Sequence, residues 1–391
     1  MYLTLLALSV VFVVLYRKGG SLTILNALIL LPLISYLSAR FSVRSLAVFQ
    51  RIDSTVLTRG DRAGFFVRIV NKSFWLHPSV KIVYHQESLS LLEDVMTDRF
   101  QVLPFEEIEV RSSLAAKHRG LYRVGAKHVE VWDFLGLFSF SAAVPEQLEV
   151  CIYPRVHQIV EMPLNPVFML KEQARKDVLD EDYSSVLDVR RYEHGDSMRK
   201  IHWKLSARKN ELLTKNFHNS TMNNTCLFMN TVFGSKRRES LDLADAVAEA
   251  AVSVSRFCIE NQMPVNFNYY SNNEICMAAA NNTAEFDHIR YVCASVQFVE
   301  NINFAEIVEF GINSQTEKTN LILFTANCSP RLLQTVKNAQ QSGHRVVLVA
   351  FESEEVNAVV WKDKTQELAE AGVSCYLFES GQPIGEVFKC L

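Results

Sequence analysis

DVRRYEHGDSMRKIHWKLSARKNELLTKNF, residues 188–217, is the stretch that divides this chain into regions of different character. It contains eight Lys or Arg residues against four Asp or Glu residues, and a single Trp. Gly195 predicts a turn, because Gly adopts positive φ at no steric cost. A helix is predicted after the turn, because apolar residues recur near helical spacing at Ile201, Leu205 and Leu212.

Two apolar runs without a charged side chain open the chain, at residues 1–16 and 21–39. A membrane-spanning helix needs about 20 apolar residues, and the range extends down to about 17. The second run meets this length and the first is slightly short. Because a short turn separates the runs, they predict a transmembrane helical hairpin over residues 1–39. A cleaved signal peptide is disfavoured, since no basic residue precedes the first run.

Charge and cysteine usage indicate on which side of the membrane the rest of the chain lies. The turn between the runs has two basic residues, whereas Arg40, Arg44 and Arg51 follow the second run, and this excess favours a cytoplasmic body. The eight cysteines are scattered without a Cys-x-x-Cys pair, as a reducing compartment permits. We therefore expect a cell-membrane protein with two spanning helices and cytoplasmic soluble domains.

The region 45–160 reads as short strand-like runs separated by turn residues. Residues 65–70, 80–85 and 106–114 show this pattern, and no helical periodicity intervenes between them. Such a succession predicts an antiparallel β-sandwich of the immunoglobulin-like type. A connector of dense mixed charge follows, and together with the 188–217 stretch it occupies residues 161–219.

Residues 220–391 alternate between strand-like and helix-like patterns. Ser329 as N-cap, Pro330 at the first helical position and Gly343 at the end bracket one of the helices. Repeated strand–helix alternation predicts a doubly wound, mostly parallel sheet. The predicted strands lie at residues 224–232, 265–270, 320–326, 346–351 and 373–378.

Length and composition exclude several classes of protein. A chain of 391 residues is too long for one ordinary core, and its length predicts about two or three domains. A formal net charge of -3 argues against a dedicated nucleic-acid binder, because such domains are usually strongly basic. The sequence has no Gly-x-Ser-x-Gly elbow, no His-Glu-x-x-His motif and no dinucleotide fingerprint. No cysteine and histidine are marked as a catalytic pair, so we expect neither an enzyme nor a cofactor.

The 188–217 stretch carries a long motif, which we call the signature motif. Its residues are Arg191, Tyr192, Gly195, Asp196, Arg199, Ile201, Trp203, Ser206, Ala207 and Arg208. The motif closely resembles the signature of the domain of unknown function 58 family. That family comprises bacterial and archaeal membrane-anchored proteins that are usually associated with MoxR-type AAA+ ATPases and end in a von Willebrand factor A-like domain. Residues 133–138 also resemble the family's Asp-Pro-Phe-Gly-Leu-Phe turn, but the proline is absent here.

The resemblance implies that residues 220–391 form a von Willebrand factor A-like (Rossmann-like) domain. In such domains a metal-ion site of the form Asp-x-Ser-x-Ser follows the first strand, since Mg²⁺ prefers several hard oxygen donors. The corresponding residues here are Asn230-Thr231-Val232-Phe233-Gly234, which lack the carboxylate and both serines. We therefore expect a degenerate metal-ion-dependent adhesion site at Asn230 and no functional metal site.

Three interpretations of the signature motif stay open. In the first, Arg191, Asp196, Arg199 and Arg208 form an internal ion-pair network, and Trp203 is its packing anchor. In the second, some of these cations face outward and meet an acidic surface on a protein partner, where Arg and Trp are frequent anchors. In the third, the basic run holds phosphate or single-stranded nucleic acid stacked on an aromatic ring.

The resemblance and the missing catalytic motifs together predict a membrane-anchored, non-catalytic adaptor or scaffold. Its expected partner is a MoxR-type AAA+ ATPase, bound through protein–protein contacts, and no nucleic acid is expected. The alternative is a hydrolase, or a protein that binds nucleic acid or phosphate through the basic signature motif.

Overall fold

The chain divides into two compact units, Met1–Pro154 and Arg155–Leu391, called the N-terminal unit and the C-terminal unit below. The chain is therefore multi-domain, as predicted. The computed structural model describes residues 2–16, 19–95, 98–144, 147–160, 162, 186–192, 201–209, 211–217, 225–231, 238–271, 274–296, 303–314, 318–353, 358–379, 382 and 388.

Two apolar helices open the N-terminal unit, α1 (Tyr2–Leu15) and α2 (Gly19–Ser42), and the Tyr2 hydroxyl donates a hydrogen bond to the Leu28 carbonyl at 2.7 Å. Among the described residues, one helical stretch, Gly20–Ser45, is long and apolar enough to cross a membrane. At about 21 Å, α1 is shorter than the bilayer's hydrocarbon core of about 30 Å. The predicted hairpin of two spanning helices is therefore confirmed only for one long apolar helix, α2, because α1 does not reach spanning length among the described residues.

The rest of the N-terminal unit consists of β-sheets around one core. The sheet orders are β1-β3-β7-β5, β10-β9-β4-β6 and β2-β11-β8, and the short helix α3 (Gln86–Leu91) lies between β4 and β5. Alternate residues point inward along each strand, so Phe65, Val67 and Ile69 of β3 are fully buried. The strands are β1 (Leu46–Ile52), β2 (Val56–Thr58), β3 (Arg62–Asn71), β4 (His77–Tyr84), β5 (Leu92–Glu93), β6 (Phe100–Val102), β7 (Glu107–Ala115), β8 (Gly120–Val124), β9 (Ala126–Trp132), β10 (Ser139–Ala143) and β11 (Leu148–Tyr153).

The signature motif lies in a small strand–helix–strand segment that precedes the main sheet of the C-terminal unit. It comprises β12 (Val186–Arg191), α4 (Trp203–Lys209) and β13 (Leu213–Phe217), and β12 pairs antiparallel with β13. The predicted helix is therefore shorter than expected, because Ile201 precedes it and Leu212 follows it.

A six-stranded sheet with the order β16-β15-β14-β17-β18-β19 forms the core of the C-terminal unit, and all its strand pairs are parallel except β15 with β16. Helices cover both faces, since successive residues of each strand belong to two separate clusters: Leu227 packs with α5 and α6, and Phe228 packs with α7 and α8. The elements are β14 (Thr225–Met229), α5 (Arg238–Glu260), β15 (Val265–Ser271), β16 (Glu274–Ala280), α6 (Thr283–Ser295), α7 (Phe304–Asn313), β17 (Asn320–Thr325), α8 (Pro330–Gln341), β18 (Arg345–Phe351), α9 (Ala358–Glu370) and β19 (Ser374–Phe378).

The predicted alternation in this unit is confirmed almost element by element. The Ser329 hydroxyl accepts a hydrogen bond from the Leu332 N–H at the start of α8, and Gly343 has φ +92° just after its end. The edge strand β16 was not predicted, and neither were the strands β12 and β13 that flank α4.

Candidate functional site

The strand–helix–strand segment β12–α4–β13 carries the signature motif, and we call it the signature segment. Hydrogen bonds fix its geometry on both sides of α4. The Tyr192 N–H donates to the Leu212 carbonyl at 2.9 Å, and the His202 N–H donates to the Leu213 carbonyl at 2.8 Å. His202 also starts the helix, because its carbonyl and its Nδ1 both accept from the Leu205 N–H, at 3.0 and 3.2 Å. Helix α4 is thereby tied to the start of β13 rather than to its own sequence neighbours alone.

Ser206 joins the helix to the strand through its side chain. Its hydroxyl accepts a hydrogen bond from the Leu213 N–H at 2.9 Å and lies 3.5 Å from the Leu213 carbonyl. Ser206, Ile201 and Leu213 are all buried. This signature residue therefore has a structural role: it satisfies a backbone group that would otherwise be buried without a partner.

Trp203, unlike the buried Ser206, is exposed to solvent over 62% of its surface. The hypothesis that Trp203 is the packing anchor of the motif is therefore wrong for the described residues, and Ile201 and Leu213 fill that role. Leu212 is also exposed, at 48%. The signature segment thus presents two large apolar side chains to solvent on a backbone that is held by hydrogen bonds.

Most of the charged residues of the signature motif are not described by the structure. Gly195, Asp196 and Arg199 lie outside the described residues, as do the side chains of Arg191 and Arg208. Tyr192 is described and half-buried. The predicted ion-pair network and the predicted outward-facing cations therefore both stay predictions.

The centre of the six-stranded sheet is the second region where a ligand site is predicted by the fold. Ligands of such sheets collect at the carboxyl ends of the strands where the strand order reverses, here between β14 and β17. Asn230 follows β14, and its Nδ2 donates to the Thr325 Oγ1 at 2.9 Å, while its N–H donates to the Phe324 carbonyl. The same hydroxyl accepts from the Asn327 N–H at 3.0 Å. Asn230 and Thr325 are buried, and the hydrogen-bonding groups given above for the described residues are neutral.

Cysteine thiols were the candidate nucleophiles for a hydrolase. Burial raises the pKa of Cys226 to about 11 and the pKa values of Cys258 and Cys375 to about 12. Burial also raises the pKa of Cys328. Since the thiolate is the reactive form, these four thiols stay protonated and unreactive at neutral pH.

The N-terminal unit contains a buried carboxylate, Asp133, at the start of the turn 133–138. Asp133 follows β9, and its Oδ1 accepts from the N–H groups of Leu137 and Phe138 at 2.7 and 2.9 Å, while its Oδ2 accepts from the Ser35 hydroxyl of α2 at 2.6 Å. Burial by itself raises the pKa of Asp133, but these hydrogen bonds outweigh it and hold the pKa below its ordinary value. The missing proline leaves a turn that Gly136 completes at φ +66°.

These features define a class of protein: a multi-domain chain with an apolar N-terminal helix, a β-sheet unit, and an α/β unit preceded by a marked charged segment. A family model described as "Protein of unknown function DUF58" matches residues 188–276, which run from β12 into β16. The family similarity expected from the signature motif is therefore found at that motif.

Comparisons with individual proteins agree with that match. The chain is 26% identical over 266 residues to "Uncharacterized protein YeaD" of Bacillus subtilis, and the similarity covers 66% of this chain and 65% of that protein, just under two thirds of its length. Among solved structures, the PilB minor pilin from Streptococcus sanguinis is 8% identical, with 91% of this chain and 92% of the pilin covered and a TM-score of 0.29. The FixG-related protein from Vibrio parahaemolyticus is 13% identical, with 28% and 96% covered and a TM-score of 0.20. Both scores are too low to carry an argument.

Proposed function

We propose that this chain is a membrane-anchored, non-catalytic adaptor that binds a MoxR-type AAA+ ATPase through its signature segment. The single observation that carries the proposal is the exposure of Trp203 on a segment whose backbone is fixed by Ser206 and His202. A rigid, exposed Trp loses little conformational entropy on binding, and Trp is among the residues most enriched at the energetic centres of protein interfaces.

The anchor in this proposal is the whole N-terminal hairpin, with the soluble units in the cytoplasm. The length and apolar composition of α2 support it, as do the outward-facing apolar side chains on both helices, such as Leu8, Val14, Ile29 and Ile34. A soluble protein rarely exposes so many contiguous apolar groups, because a large apolar patch in water drives association with another apolar surface. The basic residues after α2 support the cytoplasmic orientation.

The proposal interprets the N-terminal unit as an immunoglobulin-like sandwich and the C-terminal unit as a von Willebrand factor A-like domain. When only the six strands of the main sheet are counted, in chain order from β14, the strand order is 3-2-1-4-5-6 with an antiparallel edge strand, as in doubly wound folds of this kind. The neutral pair of Asn230 and Thr325 supports a degenerate metal-ion site. At the described strand ends the Asn230 amide and the Thr325 hydroxyl satisfy one another, and neither side chain is the carboxylate that Mg²⁺ prefers.

Co-isolation from native membranes tests the partner. The full-length chain is solubilised in mild detergent, and the proteins bound to the wild type, to Trp203→Ala and to Phe310→Ala are identified and quantified. Phe310 is the matched control, since it is a 59% exposed aromatic residue on α7 of the same unit. We expect an AAA+ ATPase with the wild type and with Phe310→Ala, and an affinity about 25-fold weaker with Trp203→Ala, the loss of a hot spot of about 2 kcal/mol.

Two results would contradict the proposal in different ways. If no AAA+ ATPase is recovered with the wild type, the proposed partner is wrong. If the ATPase is recovered equally with both variants, the partner stands but the docking segment is wrong. Because Trp203 is exposed, its replacement leaves the unfolding temperature unchanged, and a shift would show that the residue is structural after all.

The second candidate is a protein that binds single-stranded nucleic acid or phosphate. The same exposed Trp203 beside a basic run favours it, since bases stack on aromatic rings that lie in a cationic groove. The discriminating measurement is salt dependence: nucleic-acid binding weakens steeply as salt rises because counterions are released. Fluorescence titration of the wild type and of Trp203→Phe with an oligonucleotide, at two salt concentrations, separates this function from protein docking.

A further inference from the structure

One end of the N-terminal unit presents large apolar side chains to solvent. The most exposed are Phe105, at 71%, and Phe74, at 67%. Natural surfaces seldom gather so many aromatic and aliphatic groups unless they meet another apolar phase. We call this set the aromatic rim, and its members are Phe74, Trp75, Leu103, Phe105, Phe134 and Leu137.

The strand registers place the rim at the end of the unit where α2 enters. Leu46, the first residue of β1 and the continuation of α2, pairs with Asn71 at the end of β3. The loops from β3 to β4, from β6 to β7 and from β9 to β10 lie at that same end, because Val70 pairs with Glu107 and Ser79 pairs with Trp132. All six rim residues belong to these three loops.

The loops are held together by buried polar groups, so the apolar side chains are displayed on a fixed frame. Asn71, which is 1% exposed, donates from Nδ2 to the carbonyls of Trp75 and Leu103 at 2.6 and 2.9 Å. The Phe105 N–H donates to the Ser73 carbonyl at 3.1 Å. Phe105 itself has φ +56°, a strained conformation for an aromatic residue, and its side chain is exposed to solvent.

The last two turns of α2 pack against the same end. Ser35 is bonded to Asp133, and the Tyr36 ring meets Phe138 edge-on with centroids 5.2 Å apart. Ser38 and Ser42 are buried and line a small pocket that also includes the rim residues Trp75 and Phe134. The rim therefore surrounds the point where the apolar helix leaves the β-sheet unit.

Helix length then fixes the level of the bilayer. The part of α2 that precedes its contact with the unit, residues 20–34, is about 22 Å long, and α1 is about 21 Å long. The hydrocarbon core of a bilayer is about 30 Å thick, so about 8 Å remains to be covered. Residues 35–40 of α2 cover this remaining length, and they are the residues at which the helix packs against the β-sheets.

We infer that the aromatic rim inserts into the interfacial layer of the bilayer. The β-sheets of the N-terminal unit therefore contact the membrane surface directly and are not separated from it by a linker. Aromatic residues are enriched at this depth because one end of the ring is apolar and the other tolerates water. The exposed Arg40, Arg44 and Lys72 lie at the same end, and the Lys72 N–H bonds to the Ser45 carbonyl just past α2. Their charges meet lipid phosphates. The inference rests on the anchoring part of the proposed function and is independent of the ATPase.

Quenching of tryptophan fluorescence by brominated lipid tests the inference. The full-length chain is reconstituted into phosphatidylcholine vesicles whose acyl chains carry bromine close to the headgroup, and flotation confirms incorporation. We expect the Trp75→Phe variant to lose at least about half of the wild-type quenching, because a ring at the interface lies within a few ångströms of the bromine. Trp203→Phe is the matched control, since Trp203 is exposed in the C-terminal unit, and we expect it to keep the full quenching.

Each outcome decides a different point. If the chain floats with the vesicles but Trp75→Phe is quenched as strongly as the wild type, the rim is not at the interface and only the hairpin anchors the chain. If the Trp75 emission is shielded from water yet unquenched by bromine, a second copy or another protein covers the rim, and the inference is wrong. If the chain does not float at all, the anchor itself fails together with the rim, whatever the result of the ATPase co-isolation.

Discussion

Asp133 in the N-terminal unit and Asn230 in the C-terminal unit are both buried polar side chains that directly follow a strand, yet only Asp133 carries a charge. Three hydrogen-bond donors converge on the Asp133 carboxylate: two backbone N–H groups and the Ser35 hydroxyl. The Asn230 side chain instead donates to the Thr325 hydroxyl, whose own proton goes to the Asn327 carbonyl at 3.1 Å, so this position requires a group that can donate. An amide can donate where a carboxylate can only accept.

The difference shows that nearby hydrogen-bond donors decide whether a buried carboxylate is stable at the end of a strand. With enough donors, the charge needs neither a metal ion nor an Arg beside it. A buried charge is tolerated only when hydrogen bonds replace the water that it has lost. At Asp133 these bonds come from its own turn and from α2, so the charge links the apolar helix to the β-sheet unit. At Asn230 the neighbours are already paired with one another, and the position has become a neutral structural contact.

Removal of the Asp133 carboxylate is expected to have the largest effect. Asp133→Ala leaves three donors unpaired, and we expect it to lower the free energy of unfolding of the N-terminal unit by about 3 to 5 kcal/mol. Asp133→Asn keeps an acceptor for the turn and should cost clearly less. Chemical denaturation of the detergent-solubilised chain measures both. Equal losses for the two variants would mean that volume, rather than charge-assisted bonding, matters here.

Acidification is expected to weaken the N-terminal unit through His77. Burial lowers the pKa of His77 to about 4 from the ordinary 6.5. The unfolded chain then takes up a proton below about pH 6.5, whereas the folded chain does so only near pH 4. Stability is therefore complete above about pH 6.5 and falls as the pH drops towards 4, by on the order of 3 kcal/mol in total. The lowered pKa of Asp133 acts in the same direction at lower pH.

The His77→Asn variant separates the two contributions to this acid sensitivity. Asn replaces the Nδ1 that lies 3.4 Å from the Ser42 hydroxyl but does not titrate. Thermal unfolding recorded from pH 7.5 to pH 4.5 should show a flatter profile for the variant than for the wild type. A profile as steep as that of the wild type would assign the acid sensitivity to other groups.

The neutral pair in the C-terminal unit is expected to contribute less. Asn230→Ala leaves the Thr325 hydroxyl without one of its partners, and we expect a loss of about 1 to 2 kcal/mol, the usual cost for a neutral buried hydrogen bond. Thr325→Val, which removes the other partner, should cost a similar amount. A double variant that costs no more than either single one would confirm that the two side chains act as a pair.

Magnesium is expected to have the smallest effect. Because the described strand ends at Asn230 and Thr325 offer a neutral, already paired set of donors and acceptors, millimolar Mg²⁺ should leave the unfolding temperature of the wild type unchanged within error. Ca²⁺ and added salt at matched ionic strength are the controls. A rise in the unfolding temperature that is specific to Mg²⁺ would contradict the expected degenerate metal site. It would also show that the Asn230 position, unlike Asp133, depends on a metal ion.

The sequence predicted those elements whose signals are local. The helix α8 was bracketed by Ser329, Pro330 and Gly343, and the structure uses all three as predicted. The strand β16 was missed because its sequence, EICMAAA, is rich in Ala, which is a poor strand former. It becomes a strand through its pairing with β15, from Val265 with Ala280 to Ser271 with Glu274.

By itself the sequence determined the apolar N-terminus, the β-rich region, the α/β alternation and the signature motif, because periodicity, capping and residue spacing act over a few neighbouring residues. Only the tertiary structure decided that Trp203 faces solvent while Ser206 is buried, and that Ser35 meets Asp133 across 98 positions of the chain. It also gathered the aromatic rim, since loops that are far apart in sequence share one end of a sheet only after the strands have paired. Such contacts depend on register and packing between distant segments, which no local pattern encodes.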